Sequence, residues 1–145
     1  MIKKLTMAAI TVLLMVSVPA KADVDALATC MMKALNGKER KQLSQWVFFS
    51  IASHPDMRGY ANVSTANREK ANKAVGDIVN RLLMEDCSTA LVSAYKSNPK
   101  AINQAFEMVY KVGMQGLMTN PAVSGALSEY ATYLDQEKLG HLLAK

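Results

Sequence analysis

Residues 66–85, ANREKANKAVGDIVNRLLME, decide how the whole chain is read. Apolar side chains recur at Ala71, Val75, Ile78, Val79, Leu82 and Leu83. Steps of three and four residues place them on one face of an α-helix, whereas a half-buried strand would alternate. Ser64 or Thr65 stands just upstream, where a side-chain oxygen accepts from the free amides of a first helical turn. Gly76 interrupts the pattern. Glycine in a helix interior costs about 1 kcal/mol against alanine, so its presence predicts close contact with a neighbouring element.

The same periodicity extends in both directions. A helix is expected over 24–35, with Val24, Leu27, Met31 and Leu35 on one stripe. Asn36-Gly37 is expected to stop it, because both residues tolerate the left-handed backbone of a helix end. A second helix is expected over 38–53. Leu43, Trp46, Val47, Phe49 and Ile51 give it the most aromatic face in the chain. Pro55 ends it, since proline disfavours helical geometry in the residue before it. Downstream, 88–96 reads as a short helix carrying Leu91, Val92 and Tyr95. Ser97-Asn98-Pro99 and Thr119-Asn120-Pro121 then resemble two helix starts, because asparagine caps free amides and proline suits the first helical position. They predict helices over 99–118, lined by Ile102, Phe106, Val109 and Gly113, and over 121–134, lined by Val123, Leu127, Tyr130 and Leu134. Asp135 is placed to cap a last helix over 136–143. Strand patterns are nearly absent. The expected fold is all-α, a compact bundle of six or seven short-to-medium helices.

The N-terminal segment reads differently. Lys3 and Lys4 are followed by an apolar run over 7–18, then Pro19 and the small-residue site Ala20-Lys21-Ala22. This is the three-part pattern of a secretory signal. The run is too short for a membrane span, which needs about 20 apolar residues. The expected organisation is a signal peptide over 1–22 and one helical domain over 23–145, located in the bacterial periplasm or secreted, with no stable membrane insertion after cleavage. Both cysteines survive cleavage. An even count in an exported chain predicts a Cys30–Cys87 disulfide. Without a C-x-x-C pair, nothing points to a thioredoxin-like redox centre.

Removing Lys3, Lys4 and Lys21 lowers the net charge from +5 to +2. Nucleic-acid binding calls for a basic stripe. The basic clusters Lys38-Glu39-Arg40-Lys41 and Arg68-Glu69-Lys70 are interrupted by acids and read as solvated helix surface. No nucleic-acid partner is therefore expected.

The catalytic inventory is thin. His54 and His141 are the only histidines and have no metal-ligand spacing. Glu85 and Asp86 are adjacent, so they diverge on a helix and do not face each other across a substrate. No G-x-S-x-G, H-E-x-x-H or phosphate-loop pattern is present. The seven methionines of the mature segment lack the close M-x-M or histidine company of a copper site and read as flexible core filler. No cofactor or metal is expected. His54-Pro55-Asp56 resembles the signature tripeptide of J-domain co-chaperones and lies between two predicted helices, as theirs does. The preceding helix, however, shows Trp46-Val47-Phe48-Phe49 where that family carries a basic face. The tripeptide is accordingly read as a helix end and turn.

These exclusions leave a non-catalytic protein-binding module, of interaction or inhibitor/immunity type, as the expected function, with an envelope protein as partner. In outline the domain looks like small exported helical immunity proteins that neutralise cell-wall-degrading toxins, although no motif carries that likeness. The candidate binding segment is the loop over 57–63. It carries Met57, Arg58 and Tyr60, and both arginine and tyrosine are enriched at binding hot spots. The alternative is a carrier or sensor of a small apolar ligand held between the aromatic second helix and the methionine-bearing fifth. An enzyme ranks third, and the oligomeric state is left open.

Overall fold

The computed structural model describes residues 19–144. Most of the predicted export signal, 1–18, and Lys145 lie outside the described residues. The fold is all-α, as expected. In chain order it comprises α1 (Pro19–Ala34), α2 (Gly37–Ile51), α3 (Thr65–Arg81), a π-helical turn (Leu82–Asp86), α4 (Ser88–Ser97), α5 (Ala101–Met118), α6 (Pro121–Ser128), a 3₁₀ turn (Glu129–Tyr133) and α7 (Gln136–Leu143). No strand occurs among the described residues.

Helix α5 is the centre of the bundle and packs against α1, α2 and α4, while α3 lies against α2. Its buried line is Ala101, Ala105, Val109 and Gly113. Ile102 and Phe106, expected to line that face with Val109 and Gly113, flank it half-buried. A four-residue row of small side chains lets neighbouring backbones approach closely. A Cβ built on Gly113 would lie 3.1 Å from the Leu43 backbone and from Val47. One on Gly116 would meet the Ser44 hydroxyl at 2.6 Å. The Ser44 hydroxyl also donates to the Gly113 carbonyl at 2.9 Å. Trp46 joins three helices. Its Nε1 donates to Asn72 Oδ1 of α3 at 2.8 Å, and its ring meets Phe106 and Tyr110 of α5 edge-on at 6.0 and 6.1 Å. The predicted stripe of α1 is buried throughout.

The disulfide joins Cys30 of α1 to Cys87 beyond the π turn, with 5.9 Å between Cα atoms. The 57-residue separation closes a loop that contributes about 4 kcal/mol in the chain-entropy account. It fastens the first helix to the middle of the bundle.

Several local expectations are corrected. Asn36 does not stop α1 in a left-handed conformation, and no residue with positive φ is found among the described residues. It caps α2 instead, accepting from the Glu39 amide at 2.9 Å while the Glu39 carboxylate accepts from the Asn36 amide at 3.0 Å. The helix expected over 66–85 leaves α geometry at Leu82, where the Cys87 amide reaches back five residues to the Leu82 carbonyl. Gly76 faces open space, with no atom within 4 Å of a Cβ built there, so close contact does not explain it. The helix expected from Pro99 begins at Ala101, because Asn98 closes a turn on the Lys100 amide. The helix expected over 121–134 ends at Ser128 and tightens into the 3₁₀ turn. Helix α1 starts at Pro19, earlier than expected, so cleavage after Ala22 would remove its first turn. Met31 is buried, but Met57, Met84 and Met118 are exposed and fill no core. Ser64, Asn120 and Asp135 cap α3, α6 and α7 as their positions suggested.

Candidate functional site

Two surfaces at the same end of the molecule stand out. Because Gly113 and Gly116 lie against Leu43 and Ser44, the C-terminal end of α5 meets the N-terminal half of α2. Where these helices diverge and α6 departs, they leave an open groove of about 870 Å³. Its apolar floor and rim come from Val112, Leu117 and Val123. Its polar wall carries Lys38, Arg40 and Lys41 with the amides of Gln42, Gln45 and Gln115, and no acidic side chain lines it.

The charge of this wall has a local cause. Glu39, the acid that interrupts the basic cluster in sequence, does not face the groove. Its carboxylate caps the Asn36 amide and accepts from Arg81 Nη2 at 2.7 Å, and Arg81 also pairs with Asp86. Arg40 is held by a 2.6 Å bond to the Met32 carbonyl at the end of α1. Lys38 and Lys41 form no ion pair among the described residues. The cluster read as neutralised surface is therefore one-sided.

The second surface is the C-terminal arm, α6 to α7. No residue from Pro121 to Leu143 is buried, and Val123 alone is partly covered. Leu127, Tyr130, Tyr133, Leu134, Leu139, Leu142 and Leu143 are between 38% and 89% exposed. The stripe expected to line a core, from Val123 to Leu134, has no core to line. Helix α7 packs against no other element among the described residues.

The sequence-predicted loop lies at the opposite end of α2. Residues 52–60 form successive turns, with the Met57 and Arg58 amides both donating to the His54 carbonyl. Tyr60 is 90% exposed, Met57 is exposed, and Arg58 reaches the Ser53 carbonyl at 3.5 Å. The structure does not bring these three residues together with the groove or the arm. His54 Nδ1 accepts from the Asp56 amide at 3.2 Å, which is the turn role read from sequence.

No group of three or more metal-ligating side chains occurs among the described residues. No helix among them is long and apolar enough to cross a membrane. Between α2 and α5, where a small apolar ligand was envisaged, the contact is filled by Leu43, Val47 and Gly113.

The class defined by these features is a disulfide-crosslinked helical bundle with a basic groove and an unpacked apolar arm. No protein-family model, curated protein or solved structure matches the chain.

Of the two missed features, the basic wall had a signal in the sequence. Asn36 followed three residues later by Glu39 is a capping-box pattern, and it foretells an inward-turned Glu39. For the arm no comparable signal exists, since its lack of Lys and Arg over 121–137 is nearly matched by residues 42–57, most of which lie in the packed helix α2.

Proposed function

We propose that the chain is an exported, non-catalytic protein-binding module of the bacterial periplasm, of interaction or inhibitor type, and that the C-terminal arm is its binding element. The carrying observation is the arm itself, a series of leucine and tyrosine side chains displayed without a core. Contiguous exposed apolar surface on a small protein marks an interaction site. An eight-residue helix such as α7 is too short to persist in water without a partner. The apolar-ligand reading has less support, because Leu43, Val47 and Gly113 fill the middle of the α2–α5 contact and the groove left at its end is open and walled by Lys38, Arg40 and Lys41.

A photo-crosslinking residue at Leu143 of the exported protein tests the reading in cells. A discrete adduct with a different envelope protein is expected, and Leu139→Asp with Leu142→Asp should abolish it. An adduct formed only from position Tyr60 would move the binding surface to the 57–63 loop. No adduct with another protein from either position would refute the reading. N-terminal sequencing of the same exported material should begin at Asp23, and a start at Met1 would refute export by cleavage.

A further inference from the structure

We infer that the arm of one copy of this chain lies in the Lys38–Val123 groove of a second copy, each copy lending its arm to the other; this rests on the reading of the arm as the binding element and names an occupant for it. The first argument is charge. Over 121–144, Glu129, Asp135 and Glu137 outnumber the single Lys138. The groove contains Lys38, Arg40 and Lys41 and no acid. The single acid of that basic stretch, Glu39, is committed to Asn36 and Arg81. Complementary patches of this kind fix orientation and speed encounter.

The second argument is apolar matching. Val112, Leu117 and Val123 are left partly uncovered in the groove, while Leu134, Leu139 and Leu142 are left uncovered on the arm. Both surfaces leave apolar side chains uncovered. The third argument is connectivity. Val123 of α6 is itself part of the groove rim, and the Asn120 cap on the Ala122 amide fixes how α6 leaves α5. After the 3₁₀ turn, α7 does not return to its own bundle. A second copy can receive it without unwinding that turn. Two arms and two grooves form an isologous, closed pair, the commonest symmetry of soluble oligomers.

The test is the mass of the purified exported protein in solution as a function of concentration, by sedimentation or light scattering. A dimer is expected. Lys38→Glu with Lys41→Glu should weaken it by roughly tenfold or more, as should Glu129→Lys with Glu137→Lys. Placing all four changes in one chain should restore it. Raised salt should weaken the native pair, because exposed charges are screened. A photo-crosslinker at Leu142 should map to the groove of the other chain, around Gln115 and Leu117. A monomer at all concentrations overturns the inference, as does a dimer indifferent to the charge changes and to Leu139→Asp. Crosslinks confined to the arm's own chain overturn it too. Such failures leave standing an adduct between Leu143 and a different protein. Conversely, an arm-exchanged dimer with no such adduct would keep the arm as the binding element, with a second copy as its occupant, and remove the different envelope partner.

Discussion

In α1, leucine and methionine at three- and four-residue spacing disappear from solvent. In α6 and α7 the same spacing leaves every leucine exposed. Leu27 and Met31 have no accessible surface, whereas Leu142 and Leu143 retain 60% and 84% of theirs. The two regions differ little in helix signals, since Asn120 and Asp135 cap their helices as competently as Ser64 caps α3. What differs is the supply of partners. The bundle packs three helices, α1, α2 and α4, onto α5, while the arm touches it only through α6. A periodic apolar stripe therefore reports a face that excludes water, without saying that the excluding surface lies in the same molecule. The regions also differ in charge: over 23–120 the basic side chains outnumber the acidic, whereas over 121–144 the three acids face a single lysine.

The largest expected effects lie in the bundle. Leu27→Ala should cost about 2–5 kcal/mol of stability, the range for a leucine removed from a packed core. Loss of the disulfide through Cys30→Ser with Cys87→Ser should cost a similar amount, about 2–5 kcal/mol. Both are measured by denaturant unfolding. A loss under about 1 kcal/mol at Leu27 would mean that the bundle is as loosely held as the arm.

The glycines sharpen the comparison at intermediate scale. Gly113→Ala forces a methyl group against the Leu43 backbone and should destabilise by about 1–3 kcal/mol, as overpacking does. Gly76→Ala meets open space and should stabilise by about 0.5–1 kcal/mol through helix propensity. Equal effects of the two changes would contradict the close approach of α2 and α5.

The smallest effect belongs to the arm. Leu142→Ala, measured by unfolding at high dilution, should change stability by less than about 0.5 kcal/mol, as at an ordinary surface position. A core-sized loss there would place α7 inside the bundle.

Much of the fold was legible in sequence because each bundle helix carries its own stripe and stop. Pro55 ends the aromatic helix near its expected boundary, and Cys30 and Cys87 fall where a bridge needs them. The misread places share a cause: one local pattern serves two geometries. Asn98-Pro99 and Asn120-Pro121 look alike, yet Asn98 has φ −153° and closes a turn, while Asn120 has φ −68° and caps a helix. Asn36-Gly37 fits a helix stop as well as a start, and Glu39 decides between them. The charge of the groove wall was legible in the Asn36–Glu39 capping box, but its shape was not, because it depends on the register between α2 and α5 set by Gly113 and Gly116 far along the chain. The exposure of the arm was hidden for the opposite reason, since nothing local distinguishes an apolar stripe that is covered from one that is not.

The π turn at Leu82–Asp86 carries a consequence for how this chain tolerates insertions and deletions. A regular α-helix advances about 100° per residue, so one residue added or lost within it resets the angular phase of everything that follows, whereas a π turn takes up an extra residue inside a single turn. The wider turn buries the adjacent residues Leu82 and Leu83 together and brings Cys87 round to α1. A π turn takes one more residue than an α turn through nearly the same rotation, so deleting a single residue between Leu82 and Asp86 would restore a plain helix and leave Cys87 facing α1. This turn is therefore the place in the helix where the loss of one residue can be absorbed with the crosslink kept.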